Sequence, residues 1–243
     1  MANLRYLIPI ATSGGSNVTT VTSGNTVDDF FLTNQVSYAS TLSHVSAGLT
    51  VSESTRAIVR SIHVANVSAA QDTVTVSISI AGATECYLAY QMPIPSGSSV
   101  ELNRRLKVLN PTDIIKVSSG IVGTMQVTLS WEVSTDTTYF GSGVLLTSST
   151  LADLYTHPTL NSVIESIIVV NYDPTYNFST DIVWTDTSNA TLAYYAKSLV
   201  VPVNSSIELC EGPKRIAATN KIRGAAVVGA IAAYVSGKQI AAV

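Results

Sequence analysis

One segment of this chain is written twice. Val59-Arg-Ser-Ile-His-Val-Ala-Asn66 recurs as Ile164-Glu-Ser-Ile-Ile-Val-Val-Asn171, so Ser61, Ile62, Val64 and Asn66 return 105 positions later as Ser166, Ile167, Val169 and Asn171. Leu88-Ala-Tyr90 matches Leu192-Ala-Tyr194 at a shift of 104, and Val122-Gly123 matches Val228-Gly229 at 106. Ile94-Pro95 and Ser98-Ser-Val-Glu-Leu102 match Val201-Pro202 and Ser205-Ser-Ile-Glu-Leu209 at 107. The order of the matches is kept and the shift drifts by only a few residues, as it does when two copies of one unit change their turn lengths separately. Whatever the unit is, the chain holds two, each of about a hundred residues and able to bury its own core.

Within each copy apolar residues recur every second position, the period of a strand with one buried face. Val74, Val76, Ile78 and Ile80 alternate with Thr and Ser, and Met125, Val127, Leu129 and Trp131 repeat the pattern. Turn signals such as Pro95-Ser-Gly97, Asn110-Pro-Thr-Asp113 and Asp173-Pro174 interrupt the chain at intervals of roughly ten residues. Short strands at that spacing predict an all-β fold of two tandem antiparallel β-sandwich domains, jelly-roll or Ig-like, with no room for crossover helices. The expected organisation is an N-terminal arm or added edge strands over residues 1–40, a first sandwich over 41–136, and a linker with the second sandwich over 137–243. Gly141-Ser-Gly143, ending the stretch from Ser134, is expected to be a hinge, Thr150–Thr156 the best helix candidate, and Gly224–Val235 the last strand.

Only 12% of the residues are charged, against about a quarter in ordinary soluble domains. With 46% apolar residues and a mean hydropathy of +0.32, something other than Lys and Glu has to cover the surface. Outward-facing Thr and Ser do part of that. A membrane does not: Gly224–Val235 is about half the length of a spanning helix, and its alignment with an amphipathic strand of the first copy makes it part of a sandwich. A net charge of −3 without a basic run argues against nucleic acid. Cys86 and Cys210 are too few for a disulfide framework and read as buried thiols. The N-terminus carries no signal-peptide pattern, so synthesis in a cytosol without export is expected.

Candidate chemistry is sparse. His63 aligns with Ile168, and neither His44 nor His157 has a second ligand at metal spacing. No nucleophile elbow and no phosphate-binding glycine motif occurs. Asp28-Asp29 could offer carboxylates, but Glu101 and Glu208 close the same strand in separate copies and read as a repeated structural charge, not a glycosidase pair. No catalytic, metal-binding or cofactor-binding residue is assigned, and an enzyme is not expected. Tyr172, Tyr176 and Phe178 surround Asp173-Pro174, with Trp184, Tyr194 and Tyr195 further along; the Tyr172–Tyr176 loop could meet a glycan or another subunit.

Arg56–Asn66, followed by Val74–Ile78, Tyr87-Leu-Ala-Tyr90, Ile94–Leu102 and Asp113, resembles the small β-sandwich modules of tailed-bacteriophage virion proteins, those of cyanobacterial phages among them. The resemblance covers most of each repeat and is one of texture and strand order, so it brings no site residues. It implies a non-enzymatic virion component of the tail, neck or head–tail region, with a capsid decoration protein or a receptor-binding fibre module as alternatives. Its partners would be other virion proteins and copies of itself.

Overall fold

The computed structural model describes residues 4–10, 19–20, 49–50, 56–81, 84–120, 125–134, 136–210, 212–226 and 230–240. Asp28-Asp29, His44, most of the Thr12–Thr26 run and the 122–124 match lie outside these residues. The described elements are strands joined by turns, with no helix among them. In chain order they are β1 (Leu4–Ile10), β2 (Thr19–Thr20), β3 (Leu49–Thr50), β4 (Arg56–Asn66), β5 (Asp72–Ile80) and β6 (Thr84–Ile94). Next come β7 (Ser99–Glu101), β8 (Lys107–Leu109), β9 (Ile114–Ser119) and β10 (Met125–Ser134). The second repeat holds β11 (Tyr139–Leu146), β12 (Ala152–Thr156), β13 (Asn161–Asn171), β14 (Phe178–Thr185) and β15 (Thr191–Val201). It ends with β16 (Ser206–Glu208), β17 (Lys214–Ile216), β18 (Lys221–Ala226) and β19 (Ile231–Ile240).

All pairings are antiparallel, and each repeat forms two sheets. In the first, β1-β10-β4 carries β7 and β8 on its far edge, and β9-β5-β6 carries β2 and β3. In the second, β11-β19-β13 carries β16 and β17, and β12-β18-β14-β15 forms the other sheet. With β2/β3, β7/β8 and β16/β17 each counted as one interrupted strand, both repeats have eight positions wound in the same order. First, last, third and sixth form one sheet, and second, seventh, fourth and fifth form the other, the double Greek key of a jelly roll. The chain is two jelly rolls in tandem.

The residues the copies share hold equivalent turns. Asn66 donates from Nδ2 to the carbonyls of Ala70 (2.8 Å) and Ile94 (2.9 Å). Asn171 does the same to Tyr176 (2.7 Å) and Val201 (3.0 Å). Each amide replaces ladder bonds that end where the strand turns, which is why Asn closes the duplicated motif. Left-handed backbone recurs in register as well: Gly97 and Asn204 (φ 65° and 53°), Thr112 and Thr219 (70° and 68°), and Gln91 and Ser198 (42° and 49°).

Three local expectations are corrected. Ala152–Thr156 is β12, paired with β18, because Leu154 turns into the core and too few residues remain to close stable helical turns. Gly141 and Gly143 lie inside β11, hydrogen-bonded along β19, and form no hinge. Gly224 belongs to β18 and the last strand begins at Ile231, so the apolar stretch is divided between two strands.

Candidate assembly interface

The two repeats share a surface. β6 and β8 lie against β11, β13 and β19, and the side chains of β13 and β19 alternate between two cores. Ile167, Val169, Ala233 and Val235 face their own sandwich, whereas Ile168, Val170, Ala232 and Tyr234 join the core of the first repeat. Burial on both faces explains why the apolar run 167–170 is continuous where residues 62–65 alternate. The glycines of β11 make room for this contact. A Cβ on Gly143 would stand 2.8 Å from Cys86 Cβ, and one on Gly141 would overlap the Val108 carbonyl and the Tyr234 hydroxyl. Close approach of another backbone is what glycine inside a strand allows.

Polar groups lock this contact in one register. Tyr234 donates its hydroxyl to the Val108 carbonyl, Ser236 Oγ donates to Leu106 O at 2.6 Å, and Asn110 Nδ2 donates to Gly141 O at 2.6 Å. Lys107, 1% exposed, donates to Glu208 Oε2 (2.9 Å), Ser166 Oγ (2.6 Å) and Arg105 O (3.3 Å), matching its three protons. Burial pulls the Lys107 pKa down and Glu208 opposes that. Such a pair adds little net stability, yet an unmatched register would strand a charge, so it specifies how the repeats sit.

Glu208 and Glu101 do the same local work. Glu208 accepts from Ser166 Oγ (2.9 Å) and Ile167 N (2.9 Å); Glu101 accepts from Ser61 Oγ (2.7 Å) and Ile62 N (2.8 Å). Beside each carboxylate the ladder bulges, with Arg60 and Glu165 as the extra residues, and the acid satisfies backbone that the bulge frees. They are paired across the repeat and not across a cleft.

The register sharpens one sequence match. Tyr87 stands opposite Ser77 and Tyr194 opposite Val183, Ala89 opposite Val76 and Ala196 opposite Ile182. β6 and β15 therefore correspond at a shift of 107, with Cys86 answering to Ala193 and Tyr87 to Tyr194, and the Leu-Ala-Tyr identity at 104 is displaced by three residues. The two strands have different surroundings. Cys86 is buried, its thiol donating to Ala233 O at 3.4 Å and pushed up to about 12 by burial. On β15, Leu192, Tyr194 and Val200 are exposed, with Lys197 Nζ 4.9 Å from the Tyr194 ring centroid.

The aromatic loop does not present a row of rings. Tyr172 turns inward against Tyr87 (5.2 Å) and Tyr90 (6.2 Å), Phe178 is half-buried, and Tyr176 is exposed. Tyr87 and Tyr90 also line a groove of about 570 Å³ on the outer β5-β6-β9 face, crossed by a Glu85–Lys116 ion pair at 2.7 Å. Burial and the neighbouring Glu85 push the Tyr87 hydroxyl up to about 12. His63 is half-buried at the middle of β4, and His157 is buried against Tyr155 with its pKa lowered to about 4 by desolvation. Among the described residues no group of three His, Cys, Asp or Glu could hold a metal, and both cysteines are free and buried. No helix among them is long and apolar enough to cross a membrane.

No protein-family model and no curated protein matches the sequence. Solved structures resemble it at low identity. The major capsid protein of Sulfolobus Turreted Icosahedral Virus matches at 10% identity over 99% of this chain and 97% of its own, with a TM-score of 0.31. The atomic structure of that virus gives 16% identity over 80% of this chain and 55% of the other, at 0.28. A tandem CBM22 domain of Paenibacillus barcinonensis Xyn10C gives 10% identity, 79% and 82% coverage, and 0.22. The viral structures come from an archaeal virus, not from a tailed phage. The jelly-roll assignment rests on the strand order above.

Proposed function

We propose that this protein is a non-enzymatic structural component of a virus particle, assembling in multiple copies. The observation that carries the reading is the uncovered strand β15. It holds three of the six large apolar side chains exposed among the described residues, Leu192, Tyr194 and Val200, whereas its counterpart β6 packs partly against the other repeat. Apolar strands left open on a weakly charged protein favour association. Two locked jelly rolls then act as one rigid building block, whose work is geometric.

Within a particle, the sequence texture favours a tail or neck position, with capsid decoration as the alternative; cross-linking intact particles and identifying the neighbours separates them. The adhesin reading loses support from Tyr172, which is committed to the inter-repeat contact, and keeps Tyr176 alone. The test of the proposal is sedimentation and electron microscopy of the purified chain over a wide concentration range. Concentration-dependent, regular assemblies are expected, and a compact monomer at every concentration refutes it.

A further inference from the structure

The parts of the inter-repeat contact are present a second time, on faces that the two described repeats do not use against each other. β15 and β17 are the counterparts of β6 and β8. Lys214 stands opposite Ile164 in β17 as Lys107 stands opposite Val59 in β8, yet Lys107 is buried and Lys214 exposed. On the receiving side, Ser61 and Glu101 are joined by the same 2.7–2.9 Å hydrogen bond as Ser166 and Glu208, and Glu101 is exposed. The operation that carries the first repeat onto the second thus carries the Lys107–Glu208 pair onto Lys214 and a Glu101 that belongs to another copy.

We propose that copies of this chain associate head to tail. The β15–β17 side of the second repeat seats on the outer β4–β10 sheet of the first repeat of a second copy, where Lys214 reaches Glu101 and Ser61. This deepens the multi-copy reading and rests on it. The receiving face differs from its internal template: on β4 His63 and Ala65 replace Ile168 and Val170, and on β1 Arg5 and Leu7 hold the register positions of Gly141 and Gly143, so the backbones cannot approach as closely as they do between the two repeats. A contact made inside one chain is obligate and apolar, whereas a face that meets solvent before assembly needs polar residues. Flat β15-to-β15 pairing is disfavoured, because β15 is irregular at three points against β14 and Ser198 has φ 49°. Head-to-tail contacts use different surfaces on the two partners, so the assembly closes as a ring or extends as a filament.

The test mixes equal amounts of unlabelled and ¹⁵N-labelled full-length protein, treats the assembled sample with a zero-length carbodiimide, and sequences the cross-linked peptides. A Lys214–Glu101 link containing one light and one heavy peptide is expected. Leu192→Glu with Val200→Glu should weaken association at least tenfold while the far-ultraviolet circular dichroism stays unchanged, and Lys214→Ala should remove the link. Assembly without that link, a link confined to peptides of one isotope, or wild-type association of the Leu192→Glu/Val200→Glu variant overturns the head-to-tail arrangement while leaving multi-copy assembly standing. So does an Ala193→Cys variant that forms a disulfide dimer, which would place two β15 strands face to face. A wild-type protein that never associates overturns both readings.

Discussion

Replacing Lys107 by alanine separates the inter-repeat lock from the rest of the fold. The substitution removes all three hydrogen bonds of the ammonium and leaves Glu208, whose side chain is 16% exposed, with Ser166 Oγ and Ile167 N as its donors. Breaking a buried ion pair from one side costs about 3–5 kcal/mol, much of it from the charge left behind. The retained donors and the partial exposure of Glu208 place this case near the lower end, at about 3 kcal/mol. Lys214 is the control, since the same residue at the equivalent position is exposed; Lys214→Ala should change the stability of the dilute chain by no more than about 0.5 kcal/mol. Lys107→Met combined with Glu208→Gln should recover most of the loss, because neither partner is then a stranded charge. Urea unfolding of dilute protein, followed by circular dichroism, gives all the midpoints. Equal costs for the two alanine variants would refute the claim that the buried pair, and not the lysine's place in its own strand, does the work.

Other outcomes follow from the same contacts. His157 has neither ring nitrogen hydrogen-bonded among the described residues, and its pKa is about 4 against 6.5 for the free side chain. The unfolded chain therefore binds the extra proton between those values. Stability is fully present above pH 6.5 and falls as the pH drops toward 4, by roughly 3 kcal/mol in all; a His157→Phe variant should flatten that part of the stability–pH curve. Gly143→Ala forces a Cβ into Cys86 and should destabilise by about 1–3 kcal/mol, measured by the thermal midpoint. Cys86, with its thiol held near 12, should resist a thiol reagent at pH 8 in the folded protein and react on unfolding; rapid labelling of the native chain would contradict the inter-repeat burial.

Much of the fold was legible because it rests on period and repetition. Alternation marked the strands, and the matched Asn66/Asn171 and Glu101/Glu208 pairs marked positions where a side chain has to replace missing ladder bonds in both copies. The reading failed where the local signal was weakest. Seven residues from Thr150 carry too little pattern to tell a short strand from helical turns, and the Leu-Ala-Tyr identity outweighed a register that sequence does not display. Gly141-Ser-Gly143 was misread because a glycine that frees the backbone and one that admits a neighbour are written alike.

The sequence by itself determined two copies of one antiparallel unit, a Ser/Thr exterior and the absence of a recognisable catalytic motif, because these depend on periodicity and residue type. Only the tertiary structure decided which face of the second repeat is covered. The continuous apolar runs at 167–170 and 231–235 are compatible with an ordinary core until β6 and β8 are found lying against them. Nor does the chain of letters distinguish Lys107 from Lys214. One is buried with Glu208 and the other faces solvent, since the environment of a residue is set by what packs against it from far along the chain.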